Sequence, residues 1–278
     1  MPPRALLLPA LLLLALIAST TVWLWPTTHT DVETLIPADP AFPLPPVPPR
    51  IATGRDYEQC LAMLDTDPAT AATFALGWQS DNGGDAAAHC LALARIALGH
   101  TDEGAAMLEK LAAASPAPAA ARAIVYSQAG QAWLLADDGT RAYAAATSAL
   151  TLLPDDIDLL IERATIAGDL EHHADALADL DHAIKLAPTR TDAITLRAAT
   201  WRHLGNLDAA QQDIDRALTL DADYPEALLE RGILRQRLGN DDGAREDWER
   251  TIELAPDTPT ADLAEQNLAL LEAGPDRK

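Results

Sequence analysis

The chain has 278 residues, of which 49% are hydrophobic, 4% aromatic and two are cysteine; 42 acidic against 20 basic residues give a net charge of −22. That apolar content excludes wholesale disorder, and the charge repels a phosphate backbone, so nucleic acid is not the expected partner. Two cysteines are too few for a disulfide-dense small fold, and the abundance of Ala, Arg and Asp fits a GC-rich bacterial coding sequence.

Residues 5–25 carry no charge, and 21 helical residues at about 1.5 Å each cover a bilayer core of roughly 30 Å. Arg4 precedes the stretch; Asp31, Glu33 and Asp39 follow it, which places the N-terminus inside and the remainder outside. The segment reads as an uncleaved anchor, with Trp23 and Trp25 at the far interface. The alternative is a signal peptide cut near Ile17-Ala18-Ser19, which would release a soluble periplasmic protein. The expected location is therefore a bacterial inner membrane, crossed once, with the remainder in the periplasm.

Residues 26–50 include eight prolines, which exclude a regular helix or a central strand. They read as a polyproline-like spacer holding the folded part off the membrane, or as a docking site for a proline-binding groove.

From residue 51 the chain repeats. Pro154, Pro188 and Pro256 lie on a 34-residue ruler, with Ala222 in the missing slot. Ala142, Ala176, Ala210 and Ala244 form one column; Gly130, Ala164, Ala198 and Gly232 form a second; Ala146, Leu180, Ile214 and Trp248 form a third. A unit of this length holds two helices and two turns, with Leu98-Gly99, Leu204-Gly205 and Leu238-Gly239 as stops between helices.

On these residues the chain resembles the tetratricopeptide repeat (TPR) family. The resemblance implies an all-α, right-handed α-solenoid of helix pairs. The usual first-helix aromatic slots hold Tyr126, Leu160, Ile194, Leu228 and Trp133, Ala167, Trp201, Arg235, which departs from the family pattern. The organisation read from the ruler is an anchor or signal at 1–25, a linker at 26–50 and a degenerate helix pair at 51–84. Full units follow at 85–118, 123–156, 157–190, 191–224 and 225–258, with a capping helix at 259–273. Four extra residues near Ala119–Arg122 interrupt the phase.

Arg163, Arg197 and Arg231 share a column, as do Asp179, Asp213 and Asp247 sixteen residues on; in earlier units both columns turn apolar together, as Leu91 with Met107 and Ala129 with Ala145. The joint switch predicts contact across each helix pair, a structural ion-pair ladder in preference to an exposed functional one. Cys60 and Cys90, on first helices of adjacent units, are expected to form a disulfide outside the cytoplasm, the alternative being two buried thiols.

No GxSxG, HExxH, Walker loop, GxGxxG or CxxC is present. The cluster of His172, His173 and His182 with Asp169 and Asp175 reads as solvated turns in preference to a metal site, and Asp81-Asn-Gly-Gly-Asp85 as a turn in preference to a calcium loop. No cofactor, metal or small-molecule ligand is expected, and a hydrolase built on scattered carboxylates is the least favoured reading.

What the resemblance implies is a protein or peptide partner in a concave face lined by first helices. Mapped here, that face carries His89, Leu93, Ile96, Ile124, Ser127, Gln131, Asp158, Thr165, Asp192, Thr195, Arg202, His203, Glu226, Ile233, Gln236 and Arg237. It lacks the Lys/Asn carboxylate clamp of chaperone-binding members.

Overall fold

The computed structural model describes residues 49–273. The chain divides into two units, Met1–Asp39 and Pro40–Lys278, and every described residue belongs to the second. The expected anchor or signal at 1–25 and nearly all of the 26–50 spacer lie outside the described residues. No helix among the described ones is long and apolar enough to cross a membrane.

The second unit is a run of helix hairpins with no strand among the described residues. In chain order the pairs are α1 (Arg55–Leu64) with α2 (Pro68–Ser80), α3 (Gly84–Ala97) with α4 (Thr101–Ala114), and α5 (Ala119–Leu135) with α6 (Gly139–Leu152). Next come α7 (Ile157–Asp169) with α8 (His173–Leu186), α9 (Thr191–His203) with α10 (Leu207–Leu220), and α11 (Pro225–Arg237) with α12 (Asp241–Leu254). A single helix, α13 (Pro259–Ala273), takes the next first-helix position, packed on α11 and α12.

Local chemistry sets the helix ends. Asp67, Asp138, Asp156, Asn206 and Asn240 each accept a first-turn backbone N–H, a cap whose loss costs about 1 kcal/mol. At the other end, Gly99, Gly205 and Gly239 take a left-handed φ of 84°, 77° and 80°, and the next residue's N–H reaches back to Arg95, Trp201 and Arg235 carbonyls. Two turns close in the same way without glycine. Asp137 and Glu171 sit at φ 58° and 60°, with Asp138 N–H on Trp133 O and His172 N–H on Ala167 O. The four-residue interruption of the ruler is one additional turn at the start of α5, and its Arg122 bonds the Ala112 carbonyl at the end of α4 at 2.6 Å.

Alanine makes the close approaches. Ala142, Ala176, Ala210 and Ala244 are buried, as are Ala164 and Ala198, while Leu180, Ile214 and Trp248 fill the spaces opposite. Each fully buried Leu or Ile stabilises by about 1.5–3 kcal/mol relative to exposure. The columns compensate for one another. Gly232 faces the Trp248 indole, where a Cβ would lie 2.3 Å from Nε1, whereas Gly130 faces the small Ala145 and the Ala142 carbonyl, 3.4 Å or more away. Cys60 on α1 and Cys90 on α3, both fully buried, are joined by a disulfide.

The Arg and Asp columns meet. Arg163 bonds Asp179 at 2.7 and 2.7 Å, and Arg231 bonds Asp247 at 3.0 and 2.6 Å, with the carboxylates buried in each case.

Candidate functional site

Two cavities open on the face made by successive first helices. The first, about 450 Å³, lies between α5 and α7 and is lined by Ala123, Ile124, Ser127, Gln128, Gln131, Leu153, Asp156, Asp158, Leu159 and Glu162. The second, about 390 Å³, lies between α7 and α9 with the start of α8 below it. Thr165, Asp169, Glu171, His173, Leu196, Thr200 and His203 are among its walls.

The first cavity has apolar walls and an acidic polar rim. Ser127 Oγ donates to Glu162 at 2.7 Å, and Gln131 Nε2 reaches the other Glu162 oxygen at 3.4 Å, tying α5 to α7. Burial pushes the Glu162 carboxyl above the usual range, against the lowering effect of these bonds. Beneath the floor runs a buried chain: Tyr57 Oη to His89 Nδ1 at 2.5 Å, and His89 Nε2 to Gln128 Oε1 at 2.8 Å. Burial lowers the His89 pKa to about 4, so the ring is neutral at pH 7, and the same burial pushes the Tyr57 phenol up.

In the second cavity the His173 and His203 rings stack with centroids 5.3 Å apart. Partial burial, with Arg202 beside it, lowers the His203 pKa. Among the described residues no group of three or more His, Cys, Asp or Glu is arranged to hold a metal ion.

The mapped face residues divide. Ile124, Gln131 and Asp158 line the first cavity; Thr165 and His203 line the second. Asp158 and Asp192 share Arg190, at 2.8 and 2.7 Å. Glu226 accepts from Thr260 at 3.1 Å, Ile233 packs on the C-terminal core, Gln236 is half-buried and Arg237 exposed.

Thr195 and Arg202 do not present their side chains to a partner. Thr195 is buried and donates to its own helix at Thr191 O, and Arg202, 8% exposed, is held by Glu230 through bonds of 2.7 and 3.0 Å. His89, Leu93 and Ile96 are likewise buried: His89 is enclosed by Tyr57 and Gln128, and Ile96 packs on Gly104 of α4. Conversely, Gln128 and Glu162 belong to the cavity but were absent from the mapped face. They share a 34-residue column with Leu196 and Glu230, and polar residues recurring beside apolar neighbours are the signal that marks it.

Residues 203–269, the end of α9 through most of α13, match the family model "Tetratricopeptide repeat". The matched repeats are tetratricopeptide repeats. Solved TPR-type folds are similar to this chain over most of its length. MamA from Desulfovibrio magneticus RS-1, residues 41 to its end, superposes with TM-score 0.51 at 16% identity, covering 74% of this chain and 100% of that one. The Cut9–Hcn1 hetero-tetramer of the APC/C superposes with TM-score 0.53 at 15% identity, covering 84% of this chain and 44% of that one. At these identities the likeness is one of fold. No curated protein gives a significant match to the chain. The two cavities lie on the first-helix side, N-terminal to all but the first residue of the matched segment.

Proposed function

We propose that this TPR chain is a non-catalytic protein–protein interaction scaffold of the bacterial cell envelope, binding a peptide or partner helix along its first-helix groove. The observation that carries this reading is the pair of adjoining cavities, about 450 and 390 Å³, opening between α5, α7 and α9 on one face. Their walls combine apolar surface with a few directed polar groups, as a recognition site requires. Placement in the envelope is supported by the uncharged 5–25 stretch and by a buried Cys60–Cys90 disulfide, a bond that persists in oxidising compartments.

A second reading, a soluble periplasmic holdase released by signal cleavage, is favoured by the exposed Leu134 and Leu135 at the end of α5.

The test is crosslinking and affinity purification from intact membranes, comparing the native chain with Ile124→Arg, which fills and charges the first cavity. A scaffold loses its main partner in that variant while its urea midpoint is unchanged; capture indifferent to the substitution overturns the groove reading. A periplasmically active reporter fused after Lys278 and an intact N-terminus in the membrane fraction are expected of the anchored form. A cytoplasmically active fusion overturns the envelope assignment, and a shortened N-terminus in the soluble fraction turns the reading to the holdase.

A further inference from the structure

The floor of the first cavity holds one buried hydrogen-bond donor and one buried acceptor without partners, Gln128 Nε2 and Gln131 Oε1. Each amide is engaged at its other end. Gln128, 3% exposed, takes the His89 bond at Oε1, and an amide oxygen only accepts. Nε2 of His89 therefore carries the imidazole hydrogen, Nδ1 accepts from the Tyr57 hydroxyl, and the Gln128 NH2 is left on the side away from His89. One turn along α5, the Gln131 NH2 donates toward Ser127 Oγ and Glu162, both at 3.4 Å, which leaves its carbonyl oxygen free. Buried polar atoms without partners destabilise a fold, and a ligand that satisfies them recovers that loss on binding.

The walls add a second requirement. The cavity lining carries three carboxylates, Asp156, Asp158 and Glu162, and no basic residue; Arg190 neutralises only the outer one. Ile124, Leu153 and Leu159 supply apolar surface beside them.

We propose that this cavity reads the main chain of one residue in an extended basic segment: that residue's carbonyl accepts from Gln128 Nε2, its N–H donates to Gln131 Oε1, and the adjoining side chain is Lys or Arg. The methylenes of that side chain pack on Ile124, Leu153 and Leu159, and its cation faces the carboxylates. An extended residue offers its own carbonyl acceptor and N–H donor along one edge of the chain, and a single donor or a single acceptor on the ligand would satisfy only half of the floor. The inference rests on the groove being the docking face and names what that face selects.

The probe is a phage-displayed library of random 12-residue peptides, selected on the full chain in detergent micelles. Enriched peptides are expected to place Lys or Arg beside apolar residues. Gln131→Met, which leaves the Ser127–Glu162 bond and the His89 relay intact, should weaken them about tenfold at an unchanged urea midpoint. One backbone N-methyl group in such a peptide should cost a similar factor on the native chain and nothing further on Gln131→Met. Peptides that bind but ignore Gln131→Met and every N-methyl group overturn the subsite while the groove reading stands. Acidic consensus peptides overturn the charge selection. A library that yields no binder overturns both the subsite and the groove reading.

Discussion

Arg197 grips Asp213 through two parallel bonds, Nε to Oδ2 at 2.8 Å and Nη2 to Oδ1 at 2.7 Å, and extends its third nitrogen to Asp181 of the preceding repeat at 2.7 Å. The same guanidinium therefore joins α9 to α10 within a repeat and α9 to α8 between repeats. Its neighbours repeat the arrangement: Arg163 reaches Thr147 and Asp179 from the corresponding position.

This geometry predicts an asymmetric mutant cycle. Arg197→Leu strands the buried Asp213 and costs about 3–5 kcal/mol, toward the lower figure where water reaches the carboxylate. Asp213→Met costs less, because Asp181 still holds the arginine. The double variant, which imitates the Leu91 and Met107 unit, recovers most of the loss, with a coupling energy above about 1 kcal/mol. Urea melts of the three variants measure it, and additive effects would show that the pair is energetically uncoupled.

The Cys60–Cys90 bond closes a loop of 30 residues between α1 and α3. Reduction, or Cys60→Ser with Cys90→Ser, is expected to destabilise by roughly 3–4 kcal/mol in the chain-entropy account. Chain recovered from an oxidising compartment should show no free thiol under denaturing, non-reducing conditions. Two reactive thiols in that assay contradict the bond.

His89 makes stability depend on pH. Its folded pKa, about 4, lies below the unfolded value of about 6.5, so between these values the unfolded chain binds the extra proton. Stability from this group is whole above pH 6.5 and declines as pH falls toward 4, by on the order of 3 kcal/mol. In His89→Gln the urea midpoint is lower at pH 7 but flatter across pH 4–7; an equal slope in both proteins excludes His89 as the titrating group.

Gly130 and Gly232 occupy the same column and should respond oppositely to alanine. At Gly232 the new Cβ runs into the Trp248 ring, and overpacking of this kind costs about 1–3 kcal/mol. At Gly130 the Cβ meets ordinary contacts, and the gain in helix propensity, up to about 1 kcal/mol, decides the sign. Thermal melts of the two variants distinguish them, and equal destabilisation would refute the compensation between columns.

What could be read from the chain alone was what neighbouring residues decide among themselves. The 34-residue ruler sets the order of α7 to α12, and the Leu-Gly stops act within one or two turns and end α9 and α11. The Arg–Asp contacts were legible because sixteen residues span a single hairpin, so both columns change together when the contact is lost. Even the closures at Asp137 and Glu171 follow from hairpin geometry, although no glycine announces them.

Only the tertiary structure decided which side of each first helix meets solvent. Thr195, Arg202 and His89 carry polar groups at positions that a single-helix projection places outward, yet Glu230 in the next repeat holds Arg202, and Tyr57 and Gln128 enclose His89. The free amide of Gln128 is the extreme case. Its direction is coupled to the tautomer of a histidine 39 residues away, whose other ring nitrogen meets a tyrosine another 32 residues back. Hydrogen-bond polarity passed through three helices is a property of their packing, and no local pattern in the chain encodes it.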